Sequence, residues 1–591
     1  MPSSVLVRVV FGVLVLATFG AFVAAQRLKR ATPIVDQVYY EHFLAPTCGC
    51  KHDRVRIYFK PSKAGRVTAT IVDSGGDDVR TLVDDRHLSS RRHSYVWNGR
   101  DDSGTLVPDG VYHLRVTLRD QARSVTSPLR LIVDTVPPHT RILAVSPRVI
   151  LPGAPGALGR ARIRYRGPSH PDPPLVRVYR TDLPRPREVT WFLGRRGRRT
   201  ATWDGTIGGR PAPDGVYAIA VTTYDRAGNG GSAPLVLPPR QAEAGPDTGV
   251  SVRYLTVQGT LDPVAAGSVV RFRIGPVARR LRWSLGPVGP GAPLSRGGGK
   301  AGQLAVRVPA DARTGLYLLR VQAAAHRAGQ PVVVQGRRRG SVLVVLPAIA
   351  WQGTNQVDDD DDGFANTLVG GQSVLEDRPF AHGLPPSGLV DSLAPLLRFL
   401  GREGVSYDIT TDLALVRRSS PGFAGRPGVL FAGDETWLTD RLDLALRDYV
   451  ERGGRVASFG TDAFRRRVSA GPKTLSDPTP PERVNVFGEQ TARLRIAKAP
   501  MVVNRPDRLG LFRRSDGLVG LFTDFEQSQR LVAGASILSA AGRDPHHPDF
   551  VAYRLGSGIV VRFGAPTWAS ELAGNPELTD VTRRIWSLLS R

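Results

Sequence analysis

Trp97-Asn98-Gly99-Arg100-Asp101-Asp102-Ser103-Gly104-Thr105-Leu106-Val107-Pro108-Asp109-Gly110-Val111-Tyr112 returns, one residue shorter, as Trp203-Asp204-Gly205-Thr206-Ile207-Gly208-Gly209-Arg210-Pro211-Ala212-Pro213-Asp214-Gly215-Val216-Tyr217. Trp to Trp is 106 residues and Tyr to Tyr is 105. A repeat of that length is a tandem domain with its own core, not a turn of a solenoid. In each copy Pro sets φ for a turn, Asp bonds its own backbone and Gly supplies positive φ. The segment after the first turn alternates with period two, Tyr112, Leu114, Val116 and Leu118 on one face and His113, Arg115, Thr117 and Arg119 on the other. That is a half-buried strand of an antiparallel sandwich.

Both copies, ending on W-(N/D)-G…P-D-G-x-Y, resemble the Ig-like domain of flagellar hook-assembly (FlgD-type) proteins. The resemblance implies spacer and adhesion modules. Residues 31–137 and 138–242 are the expected units, separated by the stiff linker Asp134-Thr135-Val136-Pro137-Pro138. Thr314-Gly315-Leu316-Tyr317-Leu318-Leu319-Arg320-Val321 echoes the Gly-Val-Tyr strand without a Trp-Asn-Gly partner. It marks a diverged third sandwich over 248–347.

At 591 residues the chain is too long for one core. Of its 80 basic residues only seven are lysine, so the net charge of +27 is carried by arginine alongside 64 Gly and 47 Pro, the signature of a GC-rich genome. A basic surface also attracts anionic lipid headgroups or envelope polymers through a salt-screened field. The arginines are scattered and no recognition motif accompanies them, which argues against nucleic acid.

Val9–Ala25 is almost wholly apolar, and seventeen helical residues span about 25 Å, marginal for a bilayer. Arg8 precedes it and Val23-Ala24-Ala25 offers a small-residue cleavage site. Arg27, Lys29 and Arg30 come after it, which the positive-inside rule would keep in the cytoplasm. Sandwich repeats and the Cys48-Gly49-Cys50 pair point outward instead. That spacing permits a small disulfide or two free thiols and is too sparse for zinc. Residues 1–30 are therefore read as a signal anchor holding a single-pass, extracytoplasmic chain in the cell membrane. A cleaved signal peptide and secretion are the alternative.

From residue 348 the pattern changes. Leu389–Glu403 is helical in period, Val405–Ile409, Gly428–Gly433 and Arg455–Phe459 are short strands, and Thr439 is placed to N-cap a helix ending at Gly453-Gly454. Gly558–Phe563 reads as another strand and Leu578–Leu589 as a final helix. The alternation predicts a three-layer α/β domain with a parallel sheet over 348–591.

Between the two architectures lies Trp351-Gln352-Gly353-Thr354-Asn355-Gln356-Val357-Asp358-Asp359-Asp360-Asp361-Asp362-Gly363-Phe364-Ala365-Asn366. Alternate carboxylates can converge on one hard cation, with Gly at the bend. The spacing is similar to the calcium loops of EF-hand-like and thrombospondin type 3 repeats, with Asp358, Asp360, Asp362 and Asn366 as ligands. The closing bidentate Glu is missing. The competing reading is a solvated acidic linker.

The α/β segment as a whole resembles the C-terminal domain of the N,N-dimethylformamidase large (β) subunit. The residues that carry this are Trp351-Gln352-Gly353-Thr354-Asn355, Gly428-Val429-Leu430-Phe431-Ala432-Gly433-Asp434-Glu435-Thr436-Trp437 and Asp448-Tyr449-Val450-Glu451-Arg452-Gly453-Gly454-Arg455-Val456-Ala457. The resemblance implies a glutamine-amidotransferase-like or flavodoxin-like layering and, in active relatives, iron held by tyrosines and a glutamate to hydrolyse an amide. Glu435 matches the acidic position and Asp434 adjoins it. The aromatic positions are Thr354 and Thr436, neutral hydroxyls in place of phenolates. His382 and Tyr407 are the nearby substitutes. No cysteine is available for amidotransferase chemistry, and Ser458 lacks the glycine of a nucleophile elbow because Val456 stands there. The reading is an envelope protein presenting a non-catalytic, ligand-binding domain. Its rival is a metal-dependent amide hydrolase centred on Glu435.

Overall fold

The computed structural model describes residues 3–29, 33–169, 172–276, 280–386, 388–418 and 422–591, without the side chains of residues 3–5 and 24–29. The expected junction between anchor and first sandwich, at residues 30–32, lies outside the described residues. Helix α1 (Ser3–Lys29) carries an 18-residue window, Leu6–Val23, of mean hydropathy 2.4 with none of it buried. By length and composition it can cross a membrane.

Three β units come next along the chain, and they share one strand order. In the first, Val35–Tyr39, Val55–Pro61 and His93–Trp97 form one sheet, and Phe43–Leu44, Leu131–Val133, Gly110–Leu118, Gly65–Val72 and Asp78–Leu88 form the other. The second unit repeats this with Arg141–Ser146, Ala161–Arg166 and Thr200–Trp203 against a sheet running from Val149–Ile150 to Arg187–Leu193. The third repeats it again, with Thr256–Gln258, Val269–Gly275 and Gly302–Arg307 against a sheet running from Val264–Ala265 to Ser295–Lys300. Alternation puts Tyr112, Leu114, Val116 and Leu118 in the first core.

The duplicated motif explains the match between the first two units. Trp97 and Trp203 are buried against Tyr112 and Tyr217, with ring centroids 5.4 and 5.2 Å apart. Each indole donates to a carbonyl three residues on, Arg100 (2.8 Å) and Thr206 (3.0 Å). Each phenol donates to the carbonyl four residues back, Pro108 (2.7 Å) and Pro213 (2.9 Å). Tyr317 does the same to Arg313 (2.9 Å), so the third unit keeps the tyrosine tie without the tryptophan. Cys48 and Cys50 are joined as a disulfide.

The C-terminal region is built on a seven-stranded sheet. Its strands are β1 (Leu343–Leu346), β2 (Asp408–Thr411), β3 (Gly428–Phe431), β4 (Arg455–Ser458), β5 (Ser536–Ala541), β6 (Phe550–Leu555) and β7 (Gly558–Phe563), in the order β2-β1-β3-β4-β7-β6-β5. The first five in that order are mutually parallel, and β6 and β5 add antiparallel. Buried residues alternate between faces. Val344, Leu430 and Val561 pack with helices α2 (Ala394–Arg402) and α4 (Pro576–Ser590), while Val345, Val429 and Val456 pack with α3 (Asp440–Glu451). Thr439 caps α3 by accepting from Leu442 N.

Two expected elements are shifted. Leu389–Glu403 opens with a π turn, Leu389–Leu393, before α2 begins. The strand expected at Val405–Ile409 starts at Asp408, because pairing with β1 sets the register from Leu343↔Asp408 to Leu346↔Thr411.

Candidate functional site

The chain reverses direction across the sheet between β1 and β3, and the crevice at the carboxyl ends of such strands is where open α/β sheets bind ligands. Here it holds two acids. Asp412 comes directly after β2 and accepts from Ile349 N (3.1 Å) and Leu413 N (2.6 Å). Glu435 lies on the loop after β3, its carboxyl facing Asp412. Both are fully buried. Desolvation and then the Asp412 carboxyl push Glu435 well above the usual carboxylate range, and desolvation lifts Asp412 to about 7 against the lowering effect of its hydrogen bonds. One shared proton is the state this geometry favours. Pro347 packs on Gly433, where an added Cβ would meet it at 3.0 Å, and neither acid exposes surface to solvent.

The other residues singled out in the sequence are dispersed. Asp434 is exposed and accepts from Thr461 N (2.8 Å), so the two adjacent acids do not converge. Thr354 is exposed, with its hydroxyl donating to the Ala350 carbonyl (2.8 Å), and Thr436 is half-buried. His382 Nε2 pairs with Asp182 of the second sandwich (3.3 Å), and the buried Tyr407 donates to the Thr314 carbonyl (3.1 Å). Ser458 is buried, its hydroxyl without a hydrogen-bond partner. Iron does not fit this set. Its matched donors are two neutral hydroxyls, one already engaged, and a sealed carboxyl. Among the described residues the ligand atoms of three His, Cys, Asp or Glu converge only in the acidic loop.

In that loop Asp358, Asp360 and Asp362 bring carboxylate oxygens within 4.8 Å of one another, Asp358 and Asp362 buried and Asp360 exposed. Asn366 closes the loop, its side-chain oxygen accepting from Asp359 N (2.7 Å). Asp359 turns away to Arg378 (2.8 Å) and Asp361 to Arg148 (3.0 Å).

Sequence reasoning missed a third feature. A 620 Å³ groove lies between the large sheet of the third sandwich and the turn Gly383-Leu384-Pro385. Arg282, Arg296, Arg320 and Arg327 line it, all exposed, and no acidic side chain does. Among the described residues none of these four has an acidic partner within salt-bridge distance. Period-two spacing sends Arg282 and Ser284 to the outer face of their strand, while Leu281 and Leu285 enter the core. Only the pairing of four strands gathers the arginines.

Known proteins match parts of this chain. The family model described as N,N-dimethylformamidase beta subunit-like, C-terminal, matches residues 301–531, starting inside the third sandwich. The FlgD Ig-like domain model matches residues 51–122. The basal-body rod modification protein FlgD of Salmonella typhimurium is 43% identical over 54 residues, which are 9% of this chain and 23% of that protein. The chain thus spans about a quarter of the curated relatives it matches. Among solved structures, a GH42 beta-galactosidase mutant from G. stearothermophilus aligns at 11% identity and TM-score 0.24, covering 40% of this chain and 29% of that one. The I67–I69 fragment of titin aligns at 11% and 0.19, covering 51% and 99%. Scores this low carry no fold argument. The two family models do: the chain joins a FlgD-type Ig-like domain to an N,N-dimethylformamidase beta subunit-like C-terminal region.

Proposed function

We propose that the protein is a membrane-anchored, extracytoplasmic spacer whose Ig-like units hold a ligand-binding, non-hydrolytic α/β domain away from the bilayer. The observation that carries this reading is the sealed Asp412–Glu435 pair. The acid that matches the family's functional position is fully buried, and desolvation with Asp412 close by holds its carboxyl well above the usual carboxylate range. Parallel strands between helices on both faces support the amidotransferase-like or flavodoxin-like layering. The α1 helix supports the anchor, with secretion after cleavage as the other outcome.

The ligand class this reading assigns is an anionic polymer of the envelope, held where the arginine face of the third sandwich meets the Gly383-Leu384-Pro385 turn of the α/β domain. Four like charges around one groove repel one another, and a polyanion relieves that repulsion. Salt-dependent retention on a sulfated polysaccharide tests it. Replacing Arg282, Arg296 and Arg320 with serine should cut binding at least tenfold, whereas the same change at the exposed Arg187, Arg196 and Arg198 should lower it only in proportion to net charge. Equal losses in the two variants would sink the groove.

The family match over 301–531 favours a second reading, a metal-dependent amide hydrolase centred on Glu435. Elemental analysis of the purified chain decides between them. About one equivalent of iron or zinc per chain, with amide hydrolysis lost in Glu435→Gln, establishes the hydrolase. Neither metal nor turnover leaves the binding protein.

A further inference from the structure

The acidic loop is wedged between two folded units. Gly249 N of the second sandwich donates to the Asp361 carbonyl (2.8 Å), and Asp247 N to that of Asp360 (3.4 Å). The Thr181 hydroxyl donates to the Gly363 carbonyl. Arg148 bridges Asp247 and Asp361, each at 3.0 Å. Phe364 packs with Tyr179, Ala218 and Ala220 in a small core of its own. Gly363 has φ +87°, and a Cβ there would lie 2.7 Å from Ala218 Cα, so the backbones touch. The docking therefore depends on the loop keeping one shape.

We propose that Asp358, Asp360 and Asp362 bind a calcium ion and that its occupancy latches the C-terminal region to the second sandwich. The convergent oxygens are the first observation. The second is independent of the cluster's charge: Asp358 is buried and its Oδ1 has no hydrogen-bond partner, while its other oxygen accepts from Gly363 N (2.9 Å). An orphaned, desolvated carboxylate oxygen beside two more carboxylates is a ligand position. Asp362 is held by Phe364 N (2.7 Å) and by the Gln241 side chain, so its carboxylate is already oriented. Exposed Asp360 leaves one side open to water, which suits the flexible oxygen shell of calcium better than the strict octahedron of magnesium. The buried Arg253 guanidinium lies in the field of Asp358 and subtracts positive charge from what the site can accept. Affinity should accordingly fall in the range of about 10⁻⁴ to 10⁻³ M seen for extracellular modules.

The test uses the full chain in detergent, stripped with chelator and titrated with calcium. Equilibrium dialysis should read about one ion per chain. Calcium should raise the thermal transition and slow proteolytic cleavage of the connection 241–249, with magnesium at equal concentration doing much less. Asp360→Asn with Asp362→Asn should weaken binding at least tenfold and abolish the protease protection. No binding at about 10 mM, well above the weakest such sites, would overturn the site. Binding without protection would overturn the latch. Should the double variant misfold, displacement of terbium luminescence by calcium on the unmodified chain decides the site. None of these outcomes bears on whether the Glu435 region is catalytic.

Discussion

Glu489 and Glu435 are both fully buried carboxyls of the C-terminal region, and they are stabilised in opposite ways. Glu489 accepts from Arg562 Nε (2.7 Å), a guanidinium that is itself buried and also donates to the Glu526 carbonyl (2.9 Å). Glu435 faces another acid. The first arrangement keeps charge inside by pairing it. The second removes charge by holding a proton. A carboxyl sealed in its acid form is a neutral hydrogen-bonding group, and its match to a family position does not make it a metal ligand.

Removing Arg562 should have the largest effect. Arg562→Met strands Glu489 without its partner and should cost about 3–5 kcal/mol in denaturant unfolding. A loss below about 1 kcal/mol would mean that the ion pair does not hold Glu489 in place and would erase the contrast. The pH response comes next. Asp412 is raised from an unfolded value of about 3.9 to about 7, and Glu435 is raised further. The folded state therefore binds more protons, and the pair's contribution is intact below pH 4 and is lost as pH rises through 7. Asp412 and, more weakly, Asp434 are the charges that act on Glu435, and no cation offsets the trend there. Melting curves should show a decline on the order of 2–4 kcal/mol between pH 4 and pH 8. A rise over that range would mean that both acids are ionised.

Asp412→Ala sharpens the same point. It removes the oxygen on which the amides of Ile349 and Leu413 converge and should cost about 1–3 kcal/mol near pH 5. The smallest effect belongs to Glu435→Gln. An amide replaces a carboxyl that is already neutral, so stability should change by less than about 1 kcal/mol at pH 5 and improve at pH 8, with a flatter pH profile. A loss of several kcal/mol at pH 5 would show that Glu435 does more than carry the shared proton.

The β units were legible because their information is local. Pro-Asp-Gly-x-Tyr marks the strands that start at Gly110 and Gly215, although the positive φ falls at Gly99 and Gly205 instead. Each Asp accepts from the unit's exit segment, Thr135 N and Tyr254 N. The Tyr317 echo revealed a third unit whose tryptophan is gone. Thr439 and the Asp358-x-Asp360-x-Asp362 spacing were legible for the same reason. The Asp412–Glu435 contact was not, since it joins the ends of two strands that the sheet sets on either side of β1. Thr411 caps the short helix that opens at Asp412 by accepting from Ala414 N, a role that the sequence reading did not pick out. Arg562 and Glu489, 73 residues apart, left no local trace. The long hairpin Gln490–Val502 with Leu518–Arg530 also escaped notice, because register breaks interrupt its alternation. The docking of the acidic loop rests on a backbone approach at Gly249 and Gly363, which no side-chain pattern records.

Each β unit also contains a short parallel pairing with mechanical meaning. Phe43–Leu44 runs beside Leu131–Val133, Val149–Ile150 beside Gly249–Val252, and Val264–Ala265 beside His326–Gln335. In every case a segment near the unit's entry lies alongside its exit strand and points the same way. Tension along the chain then pulls the two strands in opposite directions along their length. The hydrogen bonds between them bear the load together in shear instead of opening one after another. A tether anchored at one end and bound to a polymer at the other would transmit force through these three small clasps before any core was disturbed.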